Sequence, residues 1–550
     1  MKFPSLFFVC IVSFFFSCKK NDSAPTPPEI FTVNAFSVNG ITASTYYNTA
    51  YTPQIKLSFS APVNKTLANS NVLLRMNGTS LVPVNYTYQN GDSSIVIQPQ
   101  APLNAITKYI VSVTNEFKSA TNTTIQTTYN TTFITKIDSA NKFPIITDNQ
   151  LLDKVQQQTF KYFWDNGHPV SGMARERNTS GDLVTTGGTG FGIMSIIAVS
   201  NRNFISRTEA LTRVLKIVNF LTSNCTRYHG AFAHWIDGAS GATIPFSTND
   251  NGADLVETSF LMQGLITARQ YFNGADAAET DLRNKINVLW NGVEWSWFRQ
   301  NNQDALTWHW SPDKAWFINA RISGWNEALI TYVLAASSTT SAIPASVYAN
   351  GWARNGNIKN NGTFYGYTLP LGPNLGGPLF FEHYSFLGIN PIGLNDLYAN
   401  YQTQTVNHTK INYEYCKANP RGWFGYSNLC WGLTASDVPG GYNANEPNND
   451  PGVIAPTAAL SSFPYTPVES MNALKFFYYT LGDKTWGPYG FYDAFKLSDA
   501  WFASSTLAID QGPIIVMIEN YRSGLLWNLF TSAPEIKNGM RSLGFTAPYL

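Results

Sequence analysis

The stretch STNDNGADLVETSFLMQGL, residues 247–265, holds three carboxylates, Asp250, Asp254 and Glu257, spaced four and three apart. On a helix that spacing lines them along one face. Like charges so close cost stability unless something binds them or one stays protonated. Ser247, Thr248 and Asn249 are helix-start residues, and Asp250 itself suits an N-cap. An acidic first turn, favoured by the helix dipole, accounts for one or two of the acids. It accounts less well for Glu257, deeper in the helix amid apolar residues. The three are therefore candidate catalytic or substrate-gripping groups. A calcium cluster is the alternative, although calcium sites usually add carbonyl ligands.

Two other stretches could share such chemistry. Trp308, His309 and Trp310 precede Ser311-Pro312-Asp313, and Arg321, Trp325, Asn326 and Glu327 follow. Glu327 stands close to Trp325 at what reads as a helix start. An acid against aromatic surface loses solvation, which raises its pKa and suits a general acid; a capping Glu is the plain alternative. Farther on, Asp510 lies in Ala508-Ile509-Asp510-Gln511-Gly512-Pro513. Pro513 suits a first helical turn, which would set Asp510 near the positive end of a dipole and keep it ionised as a base or nucleophile. A plain N-cap is again the alternative. Two carboxyls of opposite pKa tendency are what glycosidic cleavage needs. The run TTGGTGFG, residues 185–192, lacks the P-loop pattern, and Ser195 breaks GxGxxG. It reads as close backbone packing at a helix start, and no cofactor is expected.

The elements that must position these residues fall into two regions. The 550-residue chain is long enough for two or three domains. Residues 30–137 are rich in Thr, Val, Asn and Ser, with alternating runs at 55–59, 94–97 and 109–113 and turn signals Asn77-Gly78 and Asn90-Gly91. Short strands so spaced predict a β-sandwich. From about residue 148 the period becomes helical, over roughly 149–164, 189–201, 207–223, 253–273, 277–290, 322–337, 391–403, 466–481 and 511–530. The fold class is thus mainly α, with a dozen or so helices that fit an α/α toroid behind a small all-β module. Net charge is +1, so no nucleic-acid partner is expected. With 15 Trp, 28 Tyr and 36 Phe beside 13% charged residues, the composition also fits a surface that stacks on sugar rings.

The N-terminus, MKFPSLFFVCIVSFFFSCKK, has a charged start and an apolar core too short to span a bilayer. Ser17-Cys18 matches the end of a bacterial lipoprotein signal, which implies cleavage before Cys18 and lipid on that residue. A Pro-rich tether, 19–29, follows. The expectation is an exported outer-membrane lipoprotein, held to the membrane through its lipid alone, on either leaflet. Cys225, Cys416 and Cys430 read mostly as buried thiols, with Cys416–Cys430 a candidate disulfide.

Taken together, TTGGTGFG, the 249–265 helix, WHWSP, GWNEA, the loop Gly372–Ser385, Trp431–Asp437 and AIDQGP resemble the glycoamylase-like domain. Within it they are most similar to glycoside hydrolase family 144, the bacterial endo-β-1,2-glucanases. Residues 59–63 (FSAPV) and 132–135 (TFIT) resemble bacterial Ig-like modules, usually spacers. The likeness to the hydrolases covers about 148–545. It implies an (α/α)6 barrel and inverting, endo-acting hydrolysis of β-1,2-glucan to short sophorooligosaccharides. It places Asp250, Asp254, Glu257, Glu327 and Asp510 in the catalytic cleft, and Trp308, His309, Trp310, Arg321, Trp325, Glu382, His383 and Trp431 as sugar-binding residues. A monomer without metal is expected. Three alternatives stay open: an exo-acting β-glucosidase or sophorose-releasing hydrolase, a phosphorylase with Arg175 and Arg177 near its phosphate, and a non-catalytic glycan-binding lipoprotein.

Overall fold

The computed structural model describes residues 29–550, so the signal peptide, Cys18 and most of the tether lie outside the described residues. The chain forms two compact units. One takes the described residues up to Asn104 with Lys108–Phe133, the other Ala105–Thr107 with Ile134–Leu550.

The first unit is built of β1 (Val33–Val38), β2 (Tyr46–Thr49), β3 (Ile55–Phe59), β4 (Val72–Met76), β5 (Ser80–Leu81), β6 (Val84–Gln89), β7 (Ser94–Pro99), β8 (Lys108–Val113) and β9 (Tyr129–Thr135). They form two sheets, in the orders β1-β3-β7-β6 and β2-β9-β8-β4-β5. Alternation sets the faces: Ile55, Leu57 and Phe59 are buried, while Lys56 and Ser58 are less so. Asn77-Gly78 and Asn90-Gly91 both have positive φ, as the tight turns between β4 and β5 and between β6 and β7 require.

The second unit is helical. Its main helices are α1 (Asp148–Trp164), α2 (Thr186–Asn201), α3 (Arg207–Ser223), α4 (Leu255–Tyr271), α5 (Ala277–Asn291), α6 (Leu329–Ser337), α7 (Tyr401–Ala418), α8 (Pro467–Lys475), α9 (Ala508–Ser523), α10 (Leu525–Ser532) and α11 (Pro534–Ser542). Thr147 with Gln150 and Ser206 with Glu209 form capping boxes that start α1 and α3. Helices α2 and α4 are buried nearly throughout. α2 packs against both α4 and α9, α9 against α1, and α4 against α6. The glycines of TTGGTGFG permit the closest of these crossings. A Cβ on Gly190 would stand 2.1 Å from the Phe260 carbonyl oxygen, and one on Gly264 would stand 2.3 Å from the Gly190 carbonyl oxygen.

Several expected boundaries move. The helix read from 322 begins at Leu329, because Arg321-Ile322 pairs with Leu306-Thr307 as a short ladder and Gly324 has φ +81°. The helix read over 391–403 is instead α7, started by Asn400, whose side chain accepts from the Thr403 amide at 2.7 Å. The segment 511–530 is two helices parted at Gly524, φ +68°. Pro513 sits inside α9 rather than in its first turn. Cys225, Cys416 and Cys430 are free thiols, so no Cys416–Cys430 disulfide forms.

Candidate active site

The three acids of 247–265 are gathered, but not along one helix face. Asp250 closes a turn with Ser247, Asp254 ends a short strand, and Glu257 lies in the first turn of α4. Asp254, not Asp250, is the N-cap: its Oδ1 accepts from the Val256 and Glu257 amides at 3.0 and 2.9 Å. The strand pairs Asp254 with His309 and Ala253 with Trp310. That register sets His309 Nε2 3.5 Å from Asp250 and 3.7 Å from Asp254. His234 joins from the other side, its Nδ1 3.2 Å from Asp254 Oδ2. Glu257 accepts from the Gly187 amide at 2.7 Å and from the Thr185 hydroxyl at 3.4 Å.

These neighbours split the three carboxyls. Burial works to raise Asp254, but the His234 hydrogen bond and the charges of His309 and His234 hold it below the usual range. Burial raises Glu257 against the pull of His234, and burial likewise raises Asp250. Burial alone would lower His234; Glu257 and Asp254 instead lift it to about 9, so it is a cation at neutral pH. Asp250, Asp254 and His309 could bring ligand atoms within 4.8 Å of one another. The protonated His234 already supplies the positive charge that a bound cation would bring.

Glu327 lies in the turn before α6, partly exposed. Its carbonyl accepts from the Ser385 hydroxyl, which also receives the Ile330 amide at 3.0 Å, so the turn is pinned at the helix entrance. Burial of the carboxyl lifts its pKa to about 7, with the charges of Glu257 and Asp254 adding to the rise. Glu327 is therefore near half-protonated at neutral pH.

Asp510, in the first turn of α9, is 3% exposed, and its surroundings work against the ionised form that its dipole position suggested. Burial first, then Asp493, raises its carboxyl well above the usual range. Asp493, 4% exposed, shares a hydrogen bond with Asp510 and is lifted to about 6, chiefly by burial. The Asp437 amide donates to Asp493 Oδ2 at 2.6 Å. Arg177 bridges Asp437 at 3.2 Å and Glu176 at 3.0 Å, which occupies its guanidinium. Arg175 is spent on the carbonyls of Gly181 and Asn166. Neither arginine is left to form a phosphate pocket.

Tyr384 ties the two acid groups together. Its ring packs on Phe191 of α2 and Phe260 of α4, and its hydroxyl feels Asp510, Glu327 and Glu257 together. Tyr442, on the hairpin that pairs Ala435–Val438 with Gly441–Ala444, reaches the charges of Asp510, Asp493, Asp437 and Glu176. Asp493, Glu176, His234 and Tyr442 carried no expectation. His234 was open to detection as one of only six histidines. Asp493 sits in GFYDAF, a stretch with no spacing pattern.

The expected sugar-binding residues divide. Trp308, His309 and Trp310 are partly exposed beside Asp254, and Arg321 is exposed with a hydrogen bond to Gln303. Trp325, Glu382, His383 and Trp431 are buried and have no side-chain surface for a sugar. Glu382 instead gathers Trp325 Nε1, Gln404 Nε2 and His408 Nδ1 within 2.9 Å. His383 bonds Ser462, with burial lowering its pKa to about 3. Trp431 donates to the Glu469 carbonyl.

The family model "Glycoamylase", described as "Putative glucoamylase", matches residues 319–534, and a bacterial Ig-like domain model matches residues 30–135. The chain is 47% identical over 428 residues to an exo β-1,2-glucooligosaccharide sophorohydrolase (non-reducing end) of Parabacteroides distasonis. That match covers 74% of this chain and 59% of the relative, so the chain spans about three fifths of that curated protein. A solved structure from Bacteroides uniformis, bearing the same description as the family model, is 53% identical, with a TM-score of 0.73 over 74% of this chain and 100% of that one. The endo-β-1,2-glucanase of Chitinophaga pinensis, solved with sophorotriose and glucose, is 49% identical, with a TM-score of 0.72 over 74% of this chain and 100% of its own.

Proposed function

The chain belongs to the glycoamylase-like family of glycoside hydrolases, of the family 144 type, and on that premise we propose that it cleaves β-1,2-glucan internally, with inversion, to short sophorooligosaccharides. The observation that carries this reading is the pairing of two unlike acid groups on separate elements. The Glu327 carboxyl is lifted to about 7, and on another element burial and mutual contact raise the carboxyls of Asp493 and Asp510 together. The helical unit is read as an (α/α)6 toroid; the run of mutually packed helices from α1 through α9, α2 and α4 to α6 supports it.

In this mechanism Glu327 gives its proton to the leaving glycosidic oxygen. Water attacks the opposite face of the sugar ring, and its proton passes to Asp510 as Asp510 hands its own to Asp493. The carboxyl pair acts as one base, and inversion needs that base far enough from the acid to admit a water, roughly 6.5–9.5 Å. Asp254 and Glu257, with His234, grip sugar hydroxyls and add to the field that keeps Glu327 protonated. Trp308 and Trp310 offer ring faces beside them. The reading also takes in a lipid-anchored, exported monomer with Cys18 acylated, on the sequence signal alone.

A second reading has its own support: the Parabacteroides relative is named as an exo enzyme. The deciding experiment follows products of linear β-1,2-glucan over time, using the chain without residues 1–18. A spread of short oligosaccharides at the earliest times is expected. Sophorose alone from the start would replace the endo reading with the exo one. No cleavage would remove both.

A further inference from the structure

Apart from the acids, residues between 291 and 341 line a solvent-open cavity of about 690 Å³. Sites for small ligands commonly fall at roughly 300–1,000 Å³. Two indoles form its apolar wall: Trp297 and Trp316, with ring centroids 4.6 Å apart and planes tilted by 36°. Trp297 is backed by His229, stacked on it at 3.4 Å. Trp316 meets Phe298 edge-on and keeps part of its surface exposed. The polar wall carries the carboxamides of Asn291, Gln300, Asn301 and Asn302. Gln300 is oriented by Thr307 and Asn319, each at 2.8 Å. Among the described residues no Lys or Arg lines the cavity, and its acid, Glu294, is tied to His229 at 3.0 Å.

This chemistry selects a ligand. Flat indoles favour a flat apolar face. Carboxamides both donate and accept, which matches hydroxyl groups that do the same. With no Lys or Arg in the lining and the carboxylate of Glu294 on it, the cavity offers nothing to a phosphate or a carboxylate. An uncharged sugar meets all three conditions. None of the acids described above lines the cavity. It adjoins them, since Trp297 meets Trp310 at 5.4 Å and Trp310 pairs with Ala253, next to Asp254.

We propose that this cavity is a second carbohydrate-binding site, which holds a segment of uncharged β-linked glucan while the acid cleft acts on the same chain. The linkage of that glucan rests on the function proposed above; the site rests on the cavity and its lining. A polymer long enough to reach both places binds more tightly than either place alone allows, because the second contact is intramolecular. A short oligosaccharide gains nothing from it.

The test is calorimetry on Glu327→Gln protein, in which cleavage is slowed by about 10²–10⁴, with long linear β-1,2-glucan and with the β-1,2-linked tetrasaccharide. Adding Trp316→Ala is expected to weaken polymer binding at least tenfold and leave tetrasaccharide binding unchanged. Asn301→Ala should weaken polymer binding severalfold, with both variants melting where their parent does. Unchanged polymer affinity overturns the proposal, as does an equal loss for both sugars, which would place Trp316 in the cleft. Wild-type hydrolysis is assayed separately. Trp316-dependent binding without cleavage sinks the proposed function and keeps the site; cleavage with Trp316-independent binding does the reverse.

Discussion

Asp493 and Asp510 hold their carboxyl groups against one another, and the structure leaves Asp493 Oδ1 and Asp510 Oδ2 without a donor. Both residues are more than nine-tenths buried. Two buried carboxylates cannot both be ionised at such close range, and one shared proton satisfies both oxygens. The pair is therefore a single titrating unit, with one member on α9 and the other on the link between the short strands Gly490–Phe491 and Phe495–Lys496.

If the pair is the base, it must hold one proton and not two. Activity should then fall as pH drops through about 6, where Asp493 takes up its proton. Asp493→Asn removes the acceptor for the relayed proton. It is expected to lower kcat by about 10²–10⁴, the span of general acid–base catalysis, with a smaller change in KM. The acidic limb of the pH profile should vanish with it. A variant with near wild-type kcat and an unmoved limb would show that Asp493 takes no part.

Glu327 sets the opposite limb. A general acid must be protonated to act, so kcat/KM should decline as pH rises through about 7. Glu327→Gln keeps the shape and loses the proton; kcat for β-1,2-glucan should fall by about 10²–10⁴. The telling substrate is one with an activated aryl leaving group, which needs little protonation. Its rate should be largely spared in Glu327→Gln, and an equal loss on both substrates would point to a structural role.

How far the sequence led is clearest in these residues. The acids at 250, 254, 257, 327 and 510 stand out in the sequence because each lies among helix-start or aromatic residues whose local physics is readable; the structure gathers Asp250 and Asp254 around His309 and sets the charges of Asp254 and Glu257 on Glu327. Their protonation was legible only for Glu327. Asp510 misled because its position near a helix start argues for ionisation, and the stronger influence, Asp493, lies on a remote loop with no local signature. Trp325, Glu382, His383 and Trp431 misled for a related reason. Their place in the sequence does not say which way a side chain turns, and theirs turn inward, Trp325 to Glu382, His383 to Ser462 and Trp431 to the Glu469 carbonyl. The helix boundaries failed where a strand pair or a positive-φ glycine interrupts an apolar run, as at Arg321-Ile322 and Gly324.

His234 stabilises the fold in its charged form. Its pKa is about 9 in the folded protein against 6.5 for the free side chain, and a raised pKa in a basic group means stability that is fully present below pH 6.5. That stability is lost as pH climbs through 9. A shift of this size corresponds to at most ~3 kcal/mol. His234→Asn should therefore melt well below the wild type at pH 6, with the gap closing by pH 9.5. A gap that stays constant over that range would show that packing, not charge, is what His234 supplies.

Gly190→Ala tests the crossing that brings the acids together. The added methyl would stand 2.1 Å from the Phe260 carbonyl oxygen and 2.7 Å from Leu261 Cα, and both obstacles are backbone. Neither can swing aside as a side chain would, so α2 and α4 must separate. Overpacking of this kind costs about 1–3 kcal/mol, occasionally more. The consequence reaches the site because the Gly187 amide, one turn away on α2, holds Glu257 on α4 at 2.7 Å. Separation should lengthen that bond and let Glu257 move relative to Asp254 and His234. The expected result is a lower melting temperature together with a raised KM for β-1,2-glucan in the protein that remains folded. Gly181→Ala is the control, at an open position with positive φ far from any neighbour within 4 Å. It should cost some stability through its backbone strain alone and leave KM unchanged. If Gly190→Ala lowered the melting temperature no more than this control, the tight crossing would not be what holds α2 against α4.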